Sequence, residues 1–137
     1  MVMKHLFILS LLFLGSAASS RLAGAPPAAK LARGQQVYSD NCSQCHQMDG
    51  SGMSDMQPAL LDDAAVQGKT GPLIRIILKG AGAIPAERRQ NFSNVMPAFN
   101  TLTDQQIADV LTYIRHAFGN QASPVSASQV KTLRTEP

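Results

Sequence analysis

Five consecutive residues, Cys42-Ser43-Gln44-Cys45-His46, restrict this chain more than any other feature of its sequence. Cys-x-x-Cys-His is the pattern through which a c-type haem is attached. The chemistry explains the spacing. Two thiols three positions apart lie on one side of a helical turn, within reach of the two vinyl groups of one porphyrin. The next residue then sets an imidazole beneath the iron. Two other readings compete. A reactive dithiol of the thioredoxin kind needs a strand before it and a βαβ context, and the sequence has no such pattern. A closed zinc site needs four ligands. Only three cluster here, and the one other histidine beyond the N-terminal segment, His116, falls opposite the apolar stripe of a helix. One covalent haem c is therefore the expected cofactor.

The 137 residues fit one domain. Residues 1–18 read as a secretory signal, with cleavage near Ala18. Lys4 gives a short basic start, Leu6 to Leu14 form an apolar run, and Gly15-Ser16-Ala17-Ala18 are small. The run is too short for a membrane span, which takes about 20 residues. Both cysteines belong to the haem motif, so none remains for a disulfide. Haem is joined to such a motif outside the cytoplasm, so signal and motif agree on export to the periplasm.

The formal charge of +3 overstates the basic character. Without Lys4, 11 basic and 9 acidic side chains remain, and two haem propionates bring the total near zero. Arg88-Arg89 is too small a cluster for a nucleic-acid footprint, and none is expected as a partner. The chain lacks Trp, and beyond the signal it keeps only Phe92, Phe99, Phe118, Tyr38 and Tyr113 as aromatics. So few large apolar groups make a weak core for a domain of about 100 residues, a deficit that a buried haem fills.

Residues 19–29, rich in Ala and Pro, read as an exposed leader. The haem domain spans 30–120, and 121–137 form a tail with a short helix. A first helix is expected over Lys30 to Cys42, with Leu31, Val37 and Tyr38 on its apolar face. Residues 47–70 read as loop, with turn chemistry at Asp49-Gly50-Ser51-Gly52 and an interruption at Pro58. Thr70-Gly71-Pro72 then opens a helix through Lys79, which Gly80 ends. Residues 81–102 read as a second long loop. A loop of that length in a compact domain calls for a function, here wrapping one face of a cofactor. Thr103 and Gln106 make a capping box, and Leu102 and Ile107 a hydrophobic staple. Ile107, Val110, Leu111, Ile114 and Phe118 follow on one helical stripe, with Gly119 as the stop. Ser126 and Gln129 suggest a last capping box and a helix near Ala127 to Leu133.

Haem iron has two axial positions. His46 takes one, and the other decides function. Left open, it suits a haem enzyme or a gas sensor. Filled by Met, it favours electron transfer. Met48 lies too close to His46 to reach the opposite haem face. Met53 and Met56 would have to pass round the porphyrin edge. Met96 follows a full helix and a long loop, in Val95-Met96-Pro97-Ala98-Phe99, and chain path favours it as the second metal ligand.

With these residues assembled, the chain resembles a class I cytochrome c over residues 30–134. Gly34 and Tyr38 stand eight and four residues before Cys42, as that family's glycine and aromatic do. Val110 and Tyr113 resemble the paired positions of its last helix. The resemblance implies that these four form the crossing of the terminal helices. It also implies that Pro58 supplies the carbonyl for the Nδ1 proton of His46, although Gln57 stands where the family often has another proline. The expected architecture is all-α: the cytochrome c fold, three main helices plus a short C-terminal helix around one haem. Residues 96–120, with Pro124-Val125, are also similar to cytochrome subunits that serve bacterial periplasmic dehydrogenases. The implied function is one-electron transfer between such a dehydrogenase and an acceptor, either a terminal oxidase or another cytochrome. The rivals are the haem enzyme or sensor and a tightly bound cytochrome subunit of a dehydrogenase complex.

Overall fold

The computed structural model describes residues 25–136 of the chain. The expected signal at 1–18 and residues 19–24 of the expected leader lie outside the described residues. Among the described residues every named element is helical, and the one β-type pairing is an isolated bridge between Met53 and Gln57.

Pro27, whose carbonyl accepts from Lys30 and Leu31, starts α1 (Ala28–Asn41) two residues earlier than expected. A single helical turn, α2 (Ser43–His46), carries the Cys-x-x-Cys-His motif almost without a break. The loop that follows contains α3 (Ala64–Gln67), where the Asp63 carboxylate caps the amides of Ala65 and Val66. The helix α4 spans Thr70–Lys79, as its Pro start and Gly stop require. The second long loop is not structureless. It holds a 3-10 turn at Gly80–Ala83 and one turn of helix, α5 (Ala86–Arg89).

Both capping boxes are formed: Thr103 and Gln106 open α6 (Asp104–Ile114), and Ser126 and Gln129 open α7 (Ala127–Arg134). The apolar stripe of α6 stops one turn sooner than its periodicity suggests. Phe118 lies beyond the helix with φ +58° and joins an aromatic cluster with Tyr38 and Tyr113, at centroid separations of 5.2 and 5.7 Å. His116 is also past the helix end. It is half-buried, with Nδ1 2.9 Å from the carbonyl of Thr112. The C-terminal segment is no loose tail, because Val125 and Val130 are fully buried in the core. Arg134 ties α7 to Asp104 and to the carbonyls of Asn100 and Leu102, each at 2.7 Å.

Helices α1 and α6 make the main helix crossing. Gly34 meets the backbone carbonyl of Asp109, and a Cβ at position 34 would lie 2.7 Å from Tyr113 Cβ. The buried Asp109 carboxylate accepts from Arg33 Nε at 2.7 Å and from Gln105 Nε2 at 2.7 Å. One core cluster sits at this crossing, around Tyr38, Cys42, Val66 and Val110. The other joins α4, α6 and α7 through Ile74, Leu78, Ile107 and Val130. A cavity opens between the two clusters.

Candidate haem-binding site

The cavity has a volume of about 600 Å³, within the roughly 300–1,000 Å³ range of cofactor and ligand sites. Its wall is largely apolar, with Leu60, Val66, Leu73, Ile77, Leu111 and Ile114 prominent. Cys42, Cys45, His46, Pro58 and Met96 all line it. Met48, Met53 and Met56 do not, and all three are exposed. His116 is also absent from the wall.

The His46 ring is fixed from behind. Its Nδ1 is 3.0 Å from the Pro58 carbonyl. A carbonyl oxygen only accepts, so Nδ1 carries the proton and Nε2 is the nitrogen left to coordinate. Burial lowers the imidazole's pKa, the Pro58 bond opposing it. This favours the neutral ring that a metal requires. The loop's turn chemistry explains how Pro58 reaches this place. Gly50 and Gly52 have positive φ, and Gly52 packs so closely on Gln57 and Pro58 that a Cβ would lie 2.6 Å from the Pro58 carbonyl oxygen. The amide of Gly52 donates to His46 O at 3.1 Å, and that of Leu60 to Gly50 O at 2.8 Å. On the other side, Tyr38 Oη donates to the carbonyl of Gln47 at 2.5 Å, pinning the residue after the histidine.

Met96 is held just as firmly. Its carbonyl accepts from Ala81 N at 2.8 Å, and Phe99 N donates to Ile77 O at 2.7 Å. The strap 96–99 thus occupies a carbonyl at the C-terminal end of α4, of the kind an isolated helix leaves unpaired, and an amide of the turn that follows it. Gly80, at φ +62°, is where the two meet. A Cβ there would lie 2.7 Å from Met96 O and 2.8 Å from Ala98 N. Gly80 was expected only as a helix stop; its closeness to the Met96 strap is not written in the sequence.

The competing chemistries fit poorly. Burial, and secondarily Cys45, pushes the Cys42 thiol up to about 11, whereas a reactive dithiol needs a lowered pKa. Among the described residues no three or more His, Cys, Asp or Glu side chains converge as a metal site would need. The donor set does fit a haem: two thiols and an imidazole at one end of an apolar cavity, and a thioether on the same wall. Gln57, also on the wall, has its buried Oε1 without a hydrogen-bond partner among the described residues.

Two supporting residues escaped the sequence reading. Arg115, 2% exposed, donates to the carbonyls of Val66, Gly68 and Ser123 and so holds α3 against the cavity. Asn120 bridges the carbonyls of Leu60 and Ile114 at 2.8 and 2.9 Å. Both follow α6, and both are buried by partners far along the chain that no local pattern announces.

Comparison with known proteins bears on the family and its cofactor. The family model "Cytochrome c" matches residues 31–118. The chain is 39% identical over 107 residues to the gluconate 2-dehydrogenase cytochrome c subunit of Pantoea cypripedii, covering 75% of this chain and 24% of that protein. It is 36% identical over 104 residues to the cytochrome c subunit of the quinone alcohol dehydrogenase of Gluconobacter oxydans, covering 74% of this chain and 22% of that protein. It is 32% identical over 114 residues to cytochrome c-552 of Thermus thermophilus, covering 77% of this chain and 86% of that protein. The chain therefore spans roughly a quarter of the length of the dehydrogenase subunits that it matches, and most of the length of the smaller cytochrome. The chain belongs to the cytochrome c family of electron-transfer proteins, and its cofactor is a covalently attached haem c.

Proposed function

We propose that the chain is a one-electron carrier of the bacterial periplasm, with His46 and Met96 as the axial ligands of its haem iron. One observation carries the reading. Met96 lies on the wall of the cavity that also holds the haem motif, while Met48, Met53 and Met56 stand exposed away from it. When bound, the haem supplies an iron that cycles between Fe(III) and Fe(II). Everything else is the work of the chain. Cys42 and Cys45 fix the porphyrin covalently. Pro58 holds the His46 tautomer, and the strap 96–99 holds the thioether. A soft thioether favours Fe(II) and so raises the potential. It also fills the position where a small ligand would bind. A site held on both faces changes little between oxidation states, which suits fast exchange of an electron and no bond chemistry.

The donor we propose is a periplasmic dehydrogenase, because relatives of this chain are cytochrome subunits of gluconate, alcohol and fructose dehydrogenases. The acceptor is a terminal oxidase or another cytochrome. Cys45 is exposed, so an edge of the haem there is open to brief contacts, and weak redox encounters use small interfaces. No described helix is long and apolar enough to cross a membrane.

The test uses the native oxidised and reduced protein. The account expects the weak sulfur-to-iron band at the red end of the oxidised spectrum and little binding of carbon monoxide to the reduced form. A native protein that lacks the band and binds carbon monoxide readily is instead an enzyme or a sensor. Co-purification with a dehydrogenase in fixed ratio would make the chain a bound subunit and not a diffusing carrier.

A further inference from the structure

Away from the Cys-x-x-Cys-His corner, the ionisable residues on the cavity wall are Asp63, Arg88 and Arg89. The loop before α3 supplies the acid. The single turn α5 supplies both arginines, on the strap that runs to Met96. Arg88 Nη2 is 3.7 Å from Asp63 Oδ2, a loose ion pair. The other Asp63 oxygen is already committed to the amides of Ala65 and Val66 at 2.8 and 2.9 Å. The Arg89 side chain makes no hydrogen bond or ion pair among the described residues. Two guanidinium groups thus stand on the wall of an apolar cavity, one weakly engaged and one without a side-chain partner among the described residues. The ordinary account of such a pair is solvated surface charge. The chemistry of the cofactor argues against it.

Haem c brings two carboxylates. They lie on the ring edge away from the vinyl carbons that the cysteines hold. An ionised carboxylate set against an apolar wall is costly unless it is paired and hydrogen-bonded. The planar guanidinium fork matches a carboxylate in two parallel hydrogen bonds. The wall offers two such forks for two carboxylates, on one turn of helix. We propose that Arg88 and Arg89 form the site that holds the two haem carboxylates, with Asp63 turning Arg88 toward the cavity. The inference rests on the covalent haem c and is independent of which residue is the sixth ligand.

Two consequences follow. The two positive charges oppose the extra positive charge of Fe(III) and raise the potential. The same contacts moor the strap that carries Met96, seven residues beyond Arg89, to the haem itself. Asp63 makes Arg88 a positioned charge, and Arg89 is free to follow its carboxylate.

The experiment uses the purified holo-protein with the variants Arg88→Gln, Arg89→Gln, the double Gln variant, and Arg88→Lys and Arg89→Lys. Arg75→Gln is the control, since Arg75 pairs with Glu136 on the surface and does not line the cavity. Two readouts are taken: the midpoint potential, and the propionate bending band in the resonance Raman spectrum. Each Gln variant is expected to shift the band. Each should also weaken Fe(II) relative to Fe(III) by roughly two- to tenfold, at most about 59 mV for one electron. The Lys variants keep the charge and lose the fork, so they should shift the band while moving the potential less. Arg75→Gln should change neither. Unaltered band and potential in the double variant would overturn the proposal. So would a fall in potential that Arg75→Gln matches with the band unmoved in every variant, because that is long-range charge alone. A native protein without the sulfur-to-iron band would defeat the Met96 assignment and leave this comparison intact.

Discussion

Gly80 sets how closely the Met96 strap can approach α4. Its φ of +62° suits glycine, and any Cβ would press on Met96 O and Ala98 N. Both are backbone atoms of a strap already bonded at Ala81 and Ile77, so relief requires the strap to move. Gly80→Ala is expected to cost about 1–3 kcal/mol from overpacking and the left-handed backbone. More tellingly, it should weaken the sulfur-to-iron band at temperatures where the helical ellipticity is still intact. An unchanged band in Gly80→Ala would mean that the strap does not depend on this contact. At this scale the sequence points to residues that come to line one cavity where chemistry asks for a residue type at a fixed place: Cys42, Cys45 and His46 by motif, Met96 by chain path. It was silent where a polar residue is buried by distant partners. Arg115 looks like a surface residue in sequence, and only the fold brings the carbonyls of Val66 and Gly68 to it, at separations of 49 and 47 residues.

Among the elements, the crossing of α1 and α6 joins the two ends of the domain. Gly34 faces the Asp109 carbonyl and the Tyr113 Cβ, so neither side can yield by a rotamer change. Gly34→Leu must part the helices, at a cost of about 1–3 kcal/mol or more, and should lower the melting temperature of the holo-protein by at least about 5 °C. A melting temperature equal to the parent's would deny the close approach. The helices legible in sequence are those with signals at both ends. Thr103 with Gln106, Ser126 with Gln129, and Pro72 with Gly80 each mark a start or stop by side-chain chemistry. The single turns α3 and α5 are too short for any hydrophobic period to register. The α6 stripe misled at Phe118 because four-residue spacing continues past the point where the backbone leaves the helix. Phe118 still serves the core, but through tilted and edge-on ring contacts with Tyr38 and Tyr113.

For the whole molecule, the cavity decides stability. Without its haem the chain leaves a largely apolar cavity of about 600 Å³ between its two core clusters, and core cavities are destabilising. The whole stability of a typical domain is only about 5–15 kcal/mol. The chain without haem, made as Cys42→Ser with Cys45→Ser, is therefore expected to keep some helix and lose its near-UV ellipticity. A cooperative melt close to that of the holo-protein would contradict this. The scarcity of aromatics in the sequence already pointed to a core completed by a cofactor; the position of the cavity between two clusters could only come from the fold. The central claim is that this cavity closes on the iron with Met96, and the most direct measurement is the oxidised spectrum of Met96→Ala beside Met53→Ala and Met56→Ala. The account predicts that Met96→Ala alone loses the sulfur-to-iron band, falls in potential and gains carbon monoxide binding. A Met96→Ala protein that keeps the band, with Met53→Ala or Met56→Ala losing it, would contradict the account.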